Sequence, residues 1–107
     1  MFTRVVEMTS KPGKSQDLAD TINEKAVPIL KKQHGFVDEI VLISHADPNR
    51  VLALSFWNKQ EDAERYQHEQ YQKIHDTVRH LLEAEPEIRT FDVHTSIAYK
   101  IAAERAA

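Results

Sequence analysis

Hydrophobic and polar positions alternate from the start of the chain. In Phe2 to Thr9 (FTRVVEMT), Phe2, Arg4, Val6 and Met8 share one face and Thr3, Val5, Glu7 and Thr9 the other, which predicts a strand. Ser10-Lys11-Pro12-Gly13 reads as a turn. From Lys14 to His34 the period becomes helical: Leu18, Ile22, Ala26, Ile29 and Leu30 recur at three or four residues and form one apolar stripe. Pro28 lies inside that stripe and predicts a kink about one turn before the helix end, with Gly35 as the left-handed stop. Phe36 to His45 is a second strand and Val51 to Trp57 a third, joined by the turn Ala46 to Arg50 as an antiparallel hairpin. Asn58 to about Glu83 is helical again, opening on Glu61, Asp62 and Glu64, which suit the positive end of a helix dipole. Ala63, Tyr66, Ile74, Val78, Leu81 and Leu82 supply its apolar positions. The pattern loses phase near Gln70 to Gln72, predicting two helices or a bend. After the polar breaker Glu83 to Glu87, Ile88 to Thr95 is the fourth strand.

The order β-α-β-β-α-β predicts an α+β, ferredoxin-like domain over residues 1–95, with a four-stranded antiparallel sheet and both helices on one face. Residues 96–107 form an alanine-rich tail in which Ile97, Tyr99 and Ile101 alternate. Two helices cover one sheet face only, yet the strands are apolar on both. Val51, Ala53 and Trp57 oppose Leu52, Leu54 and Phe56, and Val37, Val41 and Ile43 oppose Phe36, Ile40 and Leu42. A second apolar face of this size predicts an interaction surface, and the expectation is a homodimer burying sheet against sheet, with the tail reaching the partner.

Composition narrows the chemistry. The 107 residues suffice for one domain with one core. Cysteine is absent, which excludes disulfides, zinc–thiolate sites and a thiol nucleophile. Fourteen basic and 17 acidic residues leave a net charge of −3, which argues against a nucleic-acid partner. No apolar run approaches the roughly 18 residues of a membrane span, and the N-terminus lacks a signal-peptide stretch. The expectation is therefore a cytoplasmic protein without membrane association.

Most motifs fail on inspection. Gly13-Lys14-Ser15 resembles the end of a phosphate loop, but the required earlier glycine is Met8. His68-Glu69-Gln70-Tyr71-Gln72 misses the second histidine of a zinc helix, and His68 and His75 lie about 10 Å apart along a helix, so no metal site is expected. The third strand lacks an RNA-binding signature, and no nucleophile elbow or carboxylate pair occurs. What stands out is Trp57 closing a strand, followed by Tyr66, Tyr71 and His75. Tyr71 and His75 are an i, i+4 pair on one helix face. These four residues predict a pocket between helices and sheet, apolar with a few polar tips.

The chain resembles the antibiotic biosynthesis monooxygenase (ABM) superfamily of dimeric α+β barrels over about residues 2–95. The resemblance rests on the β1 start, on Lys11-Pro12-Gly13-Lys14 opening the first helix, on Pro28-Ile29-Leu30 followed by His34-Gly35-Phe36, and on Phe56-Trp57-Asn58-Lys59-Gln60-Glu61-Asp62-Ala63. It implies a monooxygenase acting on a small aromatic or quinone-like molecule with no bound cofactor. Such an enzyme must deprotonate a phenol and hold the resulting anion in a dry pocket. On this reading His75 and Tyr71 are the catalytic residues and Trp57 and Tyr66 bind substrate. The alternatives are a non-catalytic small-molecule-binding or structural dimer of the same fold, and a heme-binding or heme-degrading relative. Tyr71 and His75 match the histidine position of the heme-degrading branch. Its second tryptophan falls on Tyr66 and its β1 asparagine near Val6. The histidine usual in quinol-oxidising members also falls near Tyr66.

Overall fold

The structure, a computed structural model, describes residues 1–97. Strand β1 (Phe2–Thr9) lies inside the sheet, between β3 (Arg50–Trp57) and β4 (Glu87–Asp92), and β2 (Phe36–Ile43) forms the other edge beside β3. All pairings are antiparallel, and the order β2-β3-β1-β4 is that of the ferredoxin-like α+β arrangement. A buried Thr3 Oγ1 donates to the Ser55 carbonyl at 2.9 Å, tying the two central strands beyond their ladder.

The first helical stretch is continuous but not uniform. It runs as α1 (Ser15–Thr21), a π turn (Ile22–Ala26) and α2 (Val27–Leu30). Pro28 explains the change. It has no N–H to donate, and its ring crowds the carbonyl four residues back, so the preceding turn widens. The Val27 N–H accordingly donates to Ile22 O, five residues back. The helix stops at Leu30 rather than at the expected His34. Tighter three-residue turns follow, with Lys32 N–H to Ile29 O and Gln33 N–H to Leu30 O, before Gly35 reverses the chain at φ +81°.

The second helical stretch breaks where the periodicity lost phase, giving α3 (Gln60–Glu69), α4 (Tyr71–Val78) and a 3₁₀ turn (Arg79–Leu81). β2 ends at Ile43 and β4 at Asp92, both short of the sequence expectation. Leu18, Ile22, Ala26 and Leu30 pack with Ile74, Val78, Leu81 and Leu82 onto Phe2, Val6, Met8, Val51, Ala53 and Trp57. Fully burying a leucine such as Leu18 or Leu30 contributes about 2 kcal/mol.

One face assignment needs correction. A β-bulge between Phe36 and Asp38 places Phe36 opposite Trp57 and Asp38 opposite Phe56. Two residues of β2 thus oppose one of β3, so Phe36 joins Glu39, Val41 and Ile43 on the helix-facing side. Val37 instead packs with Phe56 in a small cluster on the outer face, supported by Met1, Leu54 and Val93. The rest of that outer face stays open, with Ile40, Leu42 and Phe91 40%, 45% and 51% exposed. Beside them, Glu7 accepts from Arg50 (2.7 Å) and Arg89 (3.2 Å). Ile97 is exposed, and Tyr99 and Ile101, through which the tail is expected to reach a partner, lie outside the described residues.

Candidate active site

On the helix-facing side, strands β1, β2 and β3 carry apolar residues except along one row. Arg4 pairs with Ser55 across β1 and β3, Glu39 pairs with the same Ser55 across β2 and β3, and Thr90 pairs with Arg4 across β4. Strand alternation and the β2 bulge therefore set Glu39, Ser55, Arg4 and Thr90 side by side beneath the helices. Above the first three lies a cavity of about 40 Å³. Val6, Met8 and Ala53 floor it, Ile22 and Ala26 of the π turn form one wall, and Tyr66, Tyr71, Ile74, His75 and Val78 form the other. Pro86 closes the rim.

The polar groups in this apolar setting are connected. Arg4 is 4% exposed; its Nη2 donates to Gln67 Oε1, and its guanidinium carbon stands 5.3 Å from the Tyr66 ring centre and 4.8 Å from that of Tyr71. Both contacts are cation–π arrangements, stabilising where water is excluded. Trp57 Nε1 donates to Ser55 Oγ at 2.9 Å, and because a hydroxyl both accepts and donates, the Ser55 O–H is left to donate elsewhere. Glu39 Oε1 is buried and has no hydrogen-bond partner among the described residues.

These surroundings shift protonation. Burial pushes the Glu39 carboxyl from 4.5 up to about 7, the Arg4 charge pulling against that and Asp38 adding to it. Burial lowers the Arg4 pKa from its ordinary value, while Tyr66, Tyr71 and Glu39 oppose the change. Burial also raises both tyrosines, against the pull of Arg4, so they keep their hydroxyl protons at neutral pH. The cavity therefore holds a fixed cation beside a carboxyl group that changes charge near neutrality.

Of the four residues expected from sequence, three reach the cavity and one stands behind it. Tyr66, Tyr71 and His75 line it. Trp57 is fully buried, its ring 5.2 Å from that of Tyr66, and it supports Tyr66 and Ser55 rather than facing the space. His75 is buried, but its Nε2 lies 3.3 Å from Glu85 and its Nδ1 3.5 Å from Arg79, both surface residues. Sequence reasoning missed Arg4, Glu39 and Ser55. Each is a polar interruption of a helix-facing apolar run, and that was their available signal. The cavity of about 40 Å³ does not hold a heme as it stands, and the two His75 nitrogens face Glu85 and Arg79 rather than the space. No group of three or more metal-ligating side chains occurs among the described residues. No helix among them is long and apolar enough to cross a membrane.

Solved structures show the same fold. SnoaB, a cofactor-independent oxygenase from Streptomyces nogalater, solved as a mutant, superposes with a TM-score of 0.75 at 18% identity, covering 90% of this chain and 95% of its own. A protein of unknown function from Nitrosomonas europaea gives 0.76 at 17% identity, covering 91% and 92%. A conserved protein from Methanosarcina mazei gives 0.70 at 20%, covering 85% and 91%. No curated protein matches the chain. The family model described as antibiotic biosynthesis monooxygenase matches residues 1–77, from β1 through nearly all of α4, and the chain belongs to that family.

Proposed function

We propose that this protein is a cofactor-independent monooxygenase that oxidises a small hydroxylated aromatic or quinone-like molecule in the cavity beneath Tyr66, Tyr71 and His75. The observation that carries this reading is a polar row, Glu39–Ser55–Arg4, set into an otherwise apolar cavity. A phenol reacts with dioxygen only after it becomes electron-rich, which means after its hydroxyl proton leaves. The overall change is phenol plus dioxygen giving quinone plus water, so the substrate supplies the electrons. An apolar cavity with one fixed cation favours the anion that must form. Likeness to a cofactor-independent oxygenase supports the same chemistry.

A space of about 40 Å³ takes a hydroxyl group and the edge of a ring, not a whole ring. A ring enters when the partly buried rim residues Tyr71 and Pro86 turn outward. His75 guards that rim through its contact with Glu85. Oxygen uptake with a panel of polyphenols and hydroxynaphthalenes tests the proposal, and no uptake above the protein-free rate with any of them sinks it. His75→Ala is expected to lower kcat more than it raises KM, because the open rim admits water to the anion.

The same reading includes a homodimer. Ile40, Leu42 and Phe91, with the half-buried Val5, Leu52 and Leu54, form a continuous apolar face that a second copy covers sheet to sheet. Sedimentation at micromolar concentration showing only a folded monomer removes it.

A further inference from the structure

We propose that Glu39 accepts the hydroxyl proton of the aromatic substrate and that Arg4 holds the oxygen anion left behind, with Ser55 aligning the hydroxyl between them. This rests on the oxygenase reading and names the groups that begin its chemistry. Three observations converge on it. Register places Glu39 and Arg4 on either side of Ser55 in one row of the sheet, all three facing one cavity. Glu39 Oε1 is buried with no donor among the described residues, so it presents an acceptor to whatever enters. The Ser55 hydroxyl, accepting from Trp57, is left with its own proton to donate.

The step balances simply. The substrate O–H bond breaks, an O–H bond forms on the Glu39 carboxylate, and the electron pair stays on the ring oxygen beside the Arg4 guanidinium. The proton held by Glu39 later leaves in the water formed from dioxygen. Glu39 suits this task near neutral pH, where its carboxyl is divided between charged and neutral forms. The titratable and charged groups facing it are Arg4 from β1, Tyr66 from α3, and Tyr71 and His75 from α4, with Asp38 adjacent on its own strand and Lys31, just after α2, lining a neighbouring recess that Glu39 shares. Tyr66 and Tyr71 keep their protons, and the two nitrogens of His75 contact Glu85 and Arg79, which leaves Glu39 as the acceptor.

The test is calorimetric binding of 2-naphthol, which stays un-ionised in bulk between about pH 6 and about pH 8. A hydroxyl donating to Glu39 favours its charged form, so affinity is expected to rise across this range in the wild type, about tenfold by its upper end. Glu39→Gln abolishes the slope, and His75→Gln retains it. Thermal melts establish that each variant is folded, and the His75→Gln slope decides the question even where Glu39→Gln does not fold. In oxygen uptake with a dihydroxynaphthalene, Arg4→Met lowers kcat about a hundredfold with little change in KM, because the anion exists only after the proton leaves. Arg4→Lys restores part of that loss. A flat wild-type profile, a slope that persists in Glu39→Gln, or one that vanishes in His75→Gln overturns the assignment while oxygen uptake leaves the oxygenase reading standing. Failure of 2-naphthol to bind at any pH overturns the assignment as well, and absence of uptake then removes both.

Discussion

Glu39→Gln is expected to make the protein more stable at high pH and to leave it nearly unchanged at low pH. The folded protein raises the Glu39 pKa from 4.5 to about 7, so between those values it binds the proton more tightly than the unfolded chain does. Stability from this group is fully present below about pH 4.5 and is lost as pH climbs through about 7. Each tenfold in proton affinity is worth about 1.4 kcal/mol, so the full loss is about 3 kcal/mol. That is an upper bound, since the side chain keeps some contact with water, which screens its charge. Glutamine has nearly the same shape and never ionises, so it escapes the loss. Urea unfolding at about pH 5 and about pH 8, at one protein concentration, gives the two differences in free energy. The gap between variant and wild type should widen by about 2–3 kcal/mol toward pH 8. Every other titrating group is common to both proteins and cancels. An equal gap at the two pH values refutes the reasoning, because it means the carboxyl is not held in an environment that resists its charge. A positive result also identifies a stability cost retained at the candidate site, the usual signature of a group kept for function.

Other perturbations probe the frame around the site. Gly35→Ala should destabilise by about 2–4 kcal/mol in chemical denaturation, since Gly35 sits at φ +81° and an added Cβ would overlap the buried Asp62 carboxylate. Wild-type-like stability would show that this turn relaxes freely. Trp57→Phe should cost about 1–2 kcal/mol and lower oxygen uptake, because Ser55 loses the indole donor that orients it; unchanged uptake argues against an alignment role for Ser55. Leu54→Asp should yield folded monomers in sedimentation if the outer face is the dimer contact, as it places an unpaired charge there.

The strands, and their two faces outside the start of β2, were readable because alternation is a local property. β1 spans the eight residues its pattern marks, and the helix break at Gln70 coincides with the loss of phase. The β2 bulge was not readable. FVDEIVLI alternates acceptably with either parity, and only pairing with β3 shows that Val37 is the extra residue. The early end of the first helix was hidden for a related reason, since Lys31 to His34 continue a helical composition while the chain tightens into turns. The aromatic part of the site could be named from spacing, but not the layering that sets Trp57 behind Tyr66. Arg4 and Glu39 were visible as polar residues on apolar faces. Their meaning depends on Tyr66 and Tyr71 arriving from helices that follow much later in the chain, after two further strands in the case of Arg4, information no local pattern carries.

The bulge at Val37 bears on how this chain tolerates insertion and deletion over its history. Because Val37 is the surplus residue, removing it would leave Phe36 opposite Trp57 and Glu39 opposite Ser55, and the rest of the ladder would close without a gap. Removing Ile40 instead would force either Glu39 or Val41 out of its place, so the acidic residue could leave the cavity or the core could lose an aliphatic one. Length variation among relatives should therefore collect at the 36–38 corner and be rare from 39 to 43. An aligner that places a gap by hydrophobicity alone would shift Glu39 by one residue and lose sight of it.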